Sequence, residues 1–361
     1  MAGVIQKIKM KDYRPSRVNN FDLIRILAAS QVVFGHSVSH LKIEGFLFWL
    51  QKNVFIFFPG VPIFFFVSGF LISWSFSRSP LEVKSFFYKR LLRIFPGLWI
   101  CVLLSIILLL VDFQGDVIDL LSAKSFIAWI GMQLSFFQYY TPDILRFWGV
   151  GTPNGSLWTI SVELQFYLAL PLLFLATKKS KWLLIILMGL SIISNYFISI
   201  ANQDIVIIKL LQVSVLPYLY YFGIGIASFF YYEKIRKYVE SKFIYWFAAY
   251  VLIIGLSSYF NFNIYSYSVE SPMSLVADFV LAFLILSAAY TAPQLSEKFL
   301  KGNDISYGVY IYHMLVVNFF VQRGIVGDSW YLAFVYAITV IVAFLSWKLV
   351  EKPALKMKKK L

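Results

Sequence analysis

Residues 21–40 read FDLIRILAASQVVFGHSVSH, and this stretch decides the fold. It is long enough to cross a bilayer as a helix, yet it carries Asp22, Arg25 and His36. On a helix, the eleven positions from Arg25 to His36 make three turns. Both side chains then share one face, separated by about 16 Å of rise. Asp22 lies on the same side, three residues before Arg25. An arginine near the centre of a membrane helix costs roughly 2.5–3.5 kcal/mol, and such residues face a protein interior or an aqueous cavity. The segment therefore reads as one wall of a site inside a larger bundle.

The rest of the chain supplies that bundle. Its 361 residues are 60% hydrophobic and only 14% charged, against about a quarter charged in soluble domains. Mean hydropathy is +0.75. Apolar stretches near twenty residues recur at roughly 20–40, 54–77, 95–113, 157–177, 182–200, 207–231, 243–260, 274–291, 305–322 and 331–350. The expected fold is an all-α polytopic membrane bundle of about ten transmembrane helices. The alternation of an outer-membrane barrel is missing. A further apolar segment, 126–138, is too short to span freely and is expected to be re-entrant or interfacial.

The net charge of +14 belongs to topology and lipid headgroups, not to nucleic acid. With ten spans and a cytoplasmic N-terminus, 24 Lys and Arg fall in inside segments and six outside: Lys42, Lys52, Lys124, Arg146, Lys209 and Arg323. Counting 126–138 as a span would put TKKSK, EKIRK and KMKKK outside, so both termini are expected in the cytoplasm. Residues 1–19 then form a basic cytoplasmic segment, 20–350 the membrane domain and 351–361 a basic cytoplasmic tail. The first helix follows no small-residue cleavage site and is expected to stay uncleaved. Cys101 is the single cysteine, so no intramolecular disulfide forms.

Several groups stand out chemically. His36 and His313 fall inside spans, and His40 at the outer end of the first. A buried imidazole serves as a general base near neutral pH, or merely packs and hydrogen-bonds. Arg90 and Arg93, neighbours at i and i+3 beside Lys89, are fit to hold one polyanion; the plainer reading is a positive-inside flank. Pro96-Gly97 just beyond is expected to break the helix. Glu163, about two turns inside the fourth span, needs a partner or cavity and matches His36 in depth. Trp158, Gln165 and Tyr167 read as belt or packing residues. Asp304 or Asn303 caps the ninth span, followed by Tyr307, Tyr310 and His313, the last two neighbours on one face. Pro62, Ser68 and Gly69 suit close helix packing in lipid. The loop 114–156, with Pro142, Gly149, Gly151, Pro153 and Gly155, reads as a flexible approach to the fourth span. No Walker loop, Gly-x-Ser-x-Gly elbow, zinc spacing or Asp-rich metal motif occurs.

In order, the strings FDLIRILAASQVVFGH (Arg-x10-His), FFFVSGFLISW, KRLLRIFPGLW (Arg-x2-Arg), GSLWTISVELQFY, SYGVYIYH and SWKLVEKP resemble the acyltransferase-3 family of integral membrane acyltransferases. They run from Phe21 to Pro353. The resemblance implies transfer of an acyl group, commonly acetyl, from cytoplasmic acyl-CoA to a hydroxyl of a cell-surface or exported carbohydrate, at a bacterial inner membrane. It makes His36 the essential histidine, Arg25 its paired arginine, Arg90 and Arg93 the donor motif, and Glu163 the glutamate of Trp-Thr-x-Ser-x-Glu. The family often adds a C-terminal extracytoplasmic hydrolase-like domain; a single-module transferase is expected here.

These readings agree chemically. Coenzyme A carries phosphates suited to a basic pair at a helix mouth. Acyl transfer to a hydroxyl needs a base, and a thioester brings its own leaving group, so neither a metal nor a resident cofactor is expected. His36 is expected to act as that base or to form a transient acyl-imidazole. Glu163 orients the acceptor or tunes His36, and Arg25, held by Asp22, stabilises developing charge. Tyr310 and His313 are supporting residues. Expected partners are acyl-CoA, a carbohydrate or lipid-linked glycan, and membrane lipids. The rival reading is a proton-coupled carbohydrate or lipid transporter, with Arg25, His36, Glu163 and His313 as the relay.

Overall fold

The computed structural model describes residues 15–264 and 269–357. Most of the basic N-terminal segment and the last four residues of the tail lie outside this range. The described residues contain helices, turns and loops but no strand. Seven helices are long and apolar enough to cross a membrane, or nine when each of two bent pairs counts as one span.

In chain order the elements are α1 (Phe21–His40), α2 (Phe46–Asn53), α3 (Gly60–Ser77), α4 (Val83–Asp112), α5 (Val117–Ser122), α6 (Lys124–Gln133), α7 (Trp158–Lys179) and α8 (Lys181–Ile200). They continue as α9 (Val206–Gln212), α10 (Leu219–Phe230), α11 (Tyr232–Val239), α12 (Phe243–Tyr259) and α13 (Pro272–Tyr290). Last come α14 (Leu295–Leu300), α15 (Ser306–Gln322), α16 (Trp330–Ser346), a π-helical turn (Trp347–Glu351) and α17 (Lys352–Lys356). A tenth span requires α15, whose 17 residues rise about 26 Å, just under the bilayer's hydrocarbon thickness. The segment expected to be re-entrant or interfacial holds the ten-residue α6 followed by turns, too short to cross.

Two expectations about local structure are corrected. Pro96-Gly97 does not break α4, which runs without interruption from Val83 to Asp112. Proline removes only the bond to the Leu92 carbonyl, and tyrosine hydroxyls of α15 hold α4 at two other carbonyls on either side of Pro96. Tyr307 donates to the carbonyl of Ile94 (2.8 Å) and Tyr312 to that of Gly97 (3.2 Å). The expected span at 207–231 is broken instead, bent by 44° between α9 and α10. Gln165 of α7 repairs the exposed backbone there, donating to the Val213 carbonyl (3.1 Å) and accepting from the Val215 N–H (3.0 Å). Ser191 and Asn195 of α8 take the carbonyls of Leu216 and Pro217. Broken backbone persists at membrane depth only where side chains satisfy it in this way.

Helix α15 is the centre of the bundle. Fourteen of its 17 residues are buried, and it packs against α1, α4 and α16. By contrast α8 buries only Leu184, Ser191, Asn195 and Ile198, leaving a broad apolar face for lipid. Helices α3 and α10 cross closely at glycines, as expected for small residues in lipid. A Cβ on Gly69 would stand 2.3 Å from the Phe222 carbonyl oxygen, and one on Gly225 2.3 Å from that of Phe66. Asn20 ties the start of α1 to the far end of α13 by donating to the carbonyls of Ala288, Thr291 and Ala292. The later part of the 114–156 loop, expected to be a flexible approach, is tied to α15. Asn318 donates to the carbonyls of Thr152 and Pro153, and Gln322 accepts from the Gly149 N–H.

Candidate active site

Three helices meet at Arg25. The expectation that Asp22 holds this arginine is corrected: the Asp22 carboxylate is 4.0 Å away and its side chain is 53% exposed. Asp304, just ahead of α15 and only 14% exposed, accepts from Arg25 at 2.7 Å. Asp304 Oδ2 also accepts from Arg93 of α4, so one carboxylate bridges two of the three arginines singled out in the sequence. Its other oxygen accepts from the Ser306 hydroxyl (2.5 Å) and N–H (3.3 Å). Burial alone would raise the Asp304 carboxyl, but Arg25 and Arg93 outweigh it and hold the group below the usual carboxylate range.

The two arginines of the Arg-x2-Arg string part company. Arg93 turns to Asp304 and to the face of Trp347, 5.7 Å from the ring centre. Arg90 donates to the Ser75 hydroxyl (3.0 Å) and lies near the rings of Phe86 and Tyr167. Its Nε is buried without a partner, and among the described residues it makes no ion pair. Lys89 beside it is half-buried.

From Tyr167 the contacts lead to Glu163. The Tyr167 hydroxyl donates to Glu163 Oε1, which also accepts from Ser68 at 3.3 Å. Tyr167 is thus no belt residue, and Ser68 does more than pack beside Gly69. Glu163 lines a cavity of about 40 Å³ together with Arg25, Ser68, Thr159, Tyr307 and Tyr310, with Val61, Phe64, Phe65 and Ile160 as its apolar walls. That volume takes one or two water-sized groups and no sugar ring.

The histidines form a second cluster beside it. Nδ1 of His36 lies 2.9 Å from Nε2 of His313, and Nδ1 of His313 lies 2.6 Å from the Tyr310 carbonyl. His313 is fully buried and His36 partly so, with the His40 ring 5.6 Å from that of His36. No hydrogen bond or ion pair joins His36 to Glu163, which the matched depths had suggested. Tyr310 connects the two clusters: its carbonyl meets His313, while its hydroxyl bonds Thr159 (2.8 Å) one turn from Glu163. Its ring also lines the Glu163 cavity.

Sequence reasoning passed over Asp304, read as a cap, and Glu351, part of SWKLVEKP. Glu351 is buried against Gly97 and accepts from Ser346 at 2.9 Å. The available signal for both was an acidic residue next to a span, which caps and flanks share. Among the described residues, no group of three or more His, Cys, Asp or Glu is arranged to hold a metal ion.

Comparison with known proteins gives this geometry its context. A family profile described as an acyltransferase domain matches residues 18–348. The chain is 33% identical over 352 residues to Nodulation protein 10 of Rhizobium leguminosarum bv. viciae, covering 94% of each. It is 29% identical over 349 residues to an O-acetyl transferase of Shigella phage Sf6, covering 92% of this chain and 95% of that one. It is 24% identical over 380 residues to the Peptidoglycan O-acetyltransferase OatA of Listeria monocytogenes, covering 95% of this chain and 57% of the relative. No solved structure matches. The apolar helices and the profile together place this chain in the acyltransferase-3 family, as an integral membrane acyltransferase.

Proposed function

We propose that the protein transfers an acetyl group from cytoplasmic acyl-CoA to a hydroxyl of a cell-envelope carbohydrate, from ten spans in a bacterial inner membrane with both termini in the cytoplasm. The observation that carries this reading is an imidazole pair joined through Tyr310 to a cavity lined by Arg25 and Glu163. The names of the phage and Listeria relatives, both O-acetyltransferases, support acetyl as the group, and the second supports a glycan acceptor. Membership of an acyltransferase family favours this reading over the transporter.

In the proposed reaction the acceptor oxygen attacks the thioester carbonyl as His36 takes its proton. The carbon–sulfur bond breaks, coenzyme A leaves as the thiolate, and that thiolate takes up a proton. Arg25, ion-paired with Asp304 three turns from His36, lines the donor's path and does not touch the reacting carbonyl. Glu163 orients the acceptor hydroxyl, with Tyr167 and Ser68 holding its carboxylate. Arg90 and Lys89 meet the donor phosphates, and Arg93 adds donors not spent on Asp304. The coenzyme's arm, roughly 15–20 Å by chain-length estimate, is long enough to carry the thioester inward.

The test is purified protein in liposomes with radiolabelled acetyl-CoA and an oligosaccharide acceptor. Wild type is expected to release coenzyme A and label the acceptor, and His36→Ala to do neither while still inserting and folding. Equal turnover by the variant would remove His36 from the chemistry.

A further inference from the structure

The two imidazoles carry an order in their hydrogens. Nδ1 of His313 is 2.6 Å from the Tyr310 carbonyl, and a carbonyl oxygen only accepts, so that nitrogen holds a hydrogen. In the uncharged ring, Nε2 of His313 then bears a lone pair and accepts. It stands 2.9 Å from Nδ1 of His36, which must donate. The ring centres are 5.1 Å apart with planes inclined by 27°, an edge-to-edge approach that aims hydrogen at lone pair. His36 is left with its own lone pair on Nε2, for which no described residue supplies a hydrogen bond.

We propose that His313 is a positioning residue that fixes His36 as its Nδ1–H tautomer and so presents Nε2 as the base. This rests on the reading of His36 as the base. The arrangement does the work that a carboxylate does behind the histidine of a serine hydrolase triad. An imidazole does it without placing a charge inside the bundle, where an unpaired carboxylate is costly. When His36 accepts the substrate proton, its Nδ1–H bond to His313 becomes charge-assisted and steadies the cation. Tyr310 enters through its backbone, so its side chain is not needed for the relay.

The chain has three histidines, which makes nitrogen NMR of the ¹⁵N-histidine-labelled full-length protein practical. Spectra are recorded near pH 8, above the usual imidazole range, with His36→Gln and His40→Gln giving the assignments. Two variants separate positioning from packing. His313→Gln places an amide oxygen near the old Nε2 and keeps an acceptor; His313→Leu fills the space without one. Wild type and His313→Gln are expected to carry hydrogen on Nδ1 of His36 and leave Nε2 bare. His313→Leu is expected to show mixed tautomers and a kcat about 10- to 100-fold lower, with KM for acyl-CoA changed less than about twofold. His313→Gln is expected to recover most of that kcat. Hydrogen on Nε2 of His36 in wild type, an unchanged tautomer in His313→Leu, or equal kcat losses in both variants would overturn the proposal. A wild type without acyl transfer would sink the proposed function instead, and the spectra would still decide the tautomer.

Discussion

Removing either of two carboxylates beside Arg25 should have very different effects. Asp22 is a helical neighbour at i−3 but is 4.0 Å away and half in solvent. Asp304 is 279 residues distant in sequence, yet it is buried at 2.7 Å and shared with Arg93. Stripping one partner from a buried pair costs roughly 3–5 kcal/mol, whereas exposed pairs are worth about 0–1 kcal/mol. Asparagine keeps one oxygen, for Ser306 or for the arginines but not both, and leaves two adjacent guanidinium groups uncompensated, so Asp304→Asn should cost about 3 kcal/mol. Asp22→Asn should cost under about 1 kcal/mol. The assay is reversible denaturant unfolding of the purified protein in mixed micelles, run as double-mutant cycles with Arg25→Gln. Coupling above about 1.5 kcal/mol is expected for Arg25 with Asp304, and below about 0.5 kcal/mol with Asp22. If Asp22→Asn is the costlier change, the assignment of Arg25 to Asp304 is wrong. The sign with pH follows from the lowered Asp304 carboxyl. Its stabilisation is complete above the unfolded value near 3.9 and is lost only as pH falls further, through the folded value. Between pH 5 and 8 this pair should contribute no slope.

The remaining predictions concern Arg90 and the helix crossing. Arg90→Ala should raise KM for acyl-CoA about tenfold or more with a smaller change in kcat, measured by initial rates; an unchanged KM would return Arg90 to topology. Gly69→Ala should lower stability by about 1–3 kcal/mol or block folding, because the new methyl meets backbone of α10 and not a yielding side chain. Wild-type yield and unfolding midpoint for that variant would contradict the α3–α10 crossing.

Class and helix positions were legible because apolar length is a local property, and α1, α3, α7 and α13 fall close to the expected ranges. His36, Arg25 and Glu163 stood out because ionisable groups are rare within spans. Their partners did not, since pairing is set by packing between distant segments. Asp304 looked like a helix cap and proved to be the bridge between α1 and α4. Tyr167 looked like a belt or packing residue because 23 tyrosines give that side chain little information by itself. His313 was marked through its spacing from Tyr310, but its contact with His36 joins residues 277 apart. Pro96 misled because its usual effect on a helix is local, while α4 is held over this stretch by contacts from α15.

The most direct measurement of the central claim compares surface glycans by mass spectrometry from cells carrying wild-type protein, His36→Ala, or no protein. An added acetyl mass on glycans of the wild-type cells alone is predicted. Identical glycans in all three, with both proteins present in the membrane, would contradict carbohydrate O-acetylation by this chain.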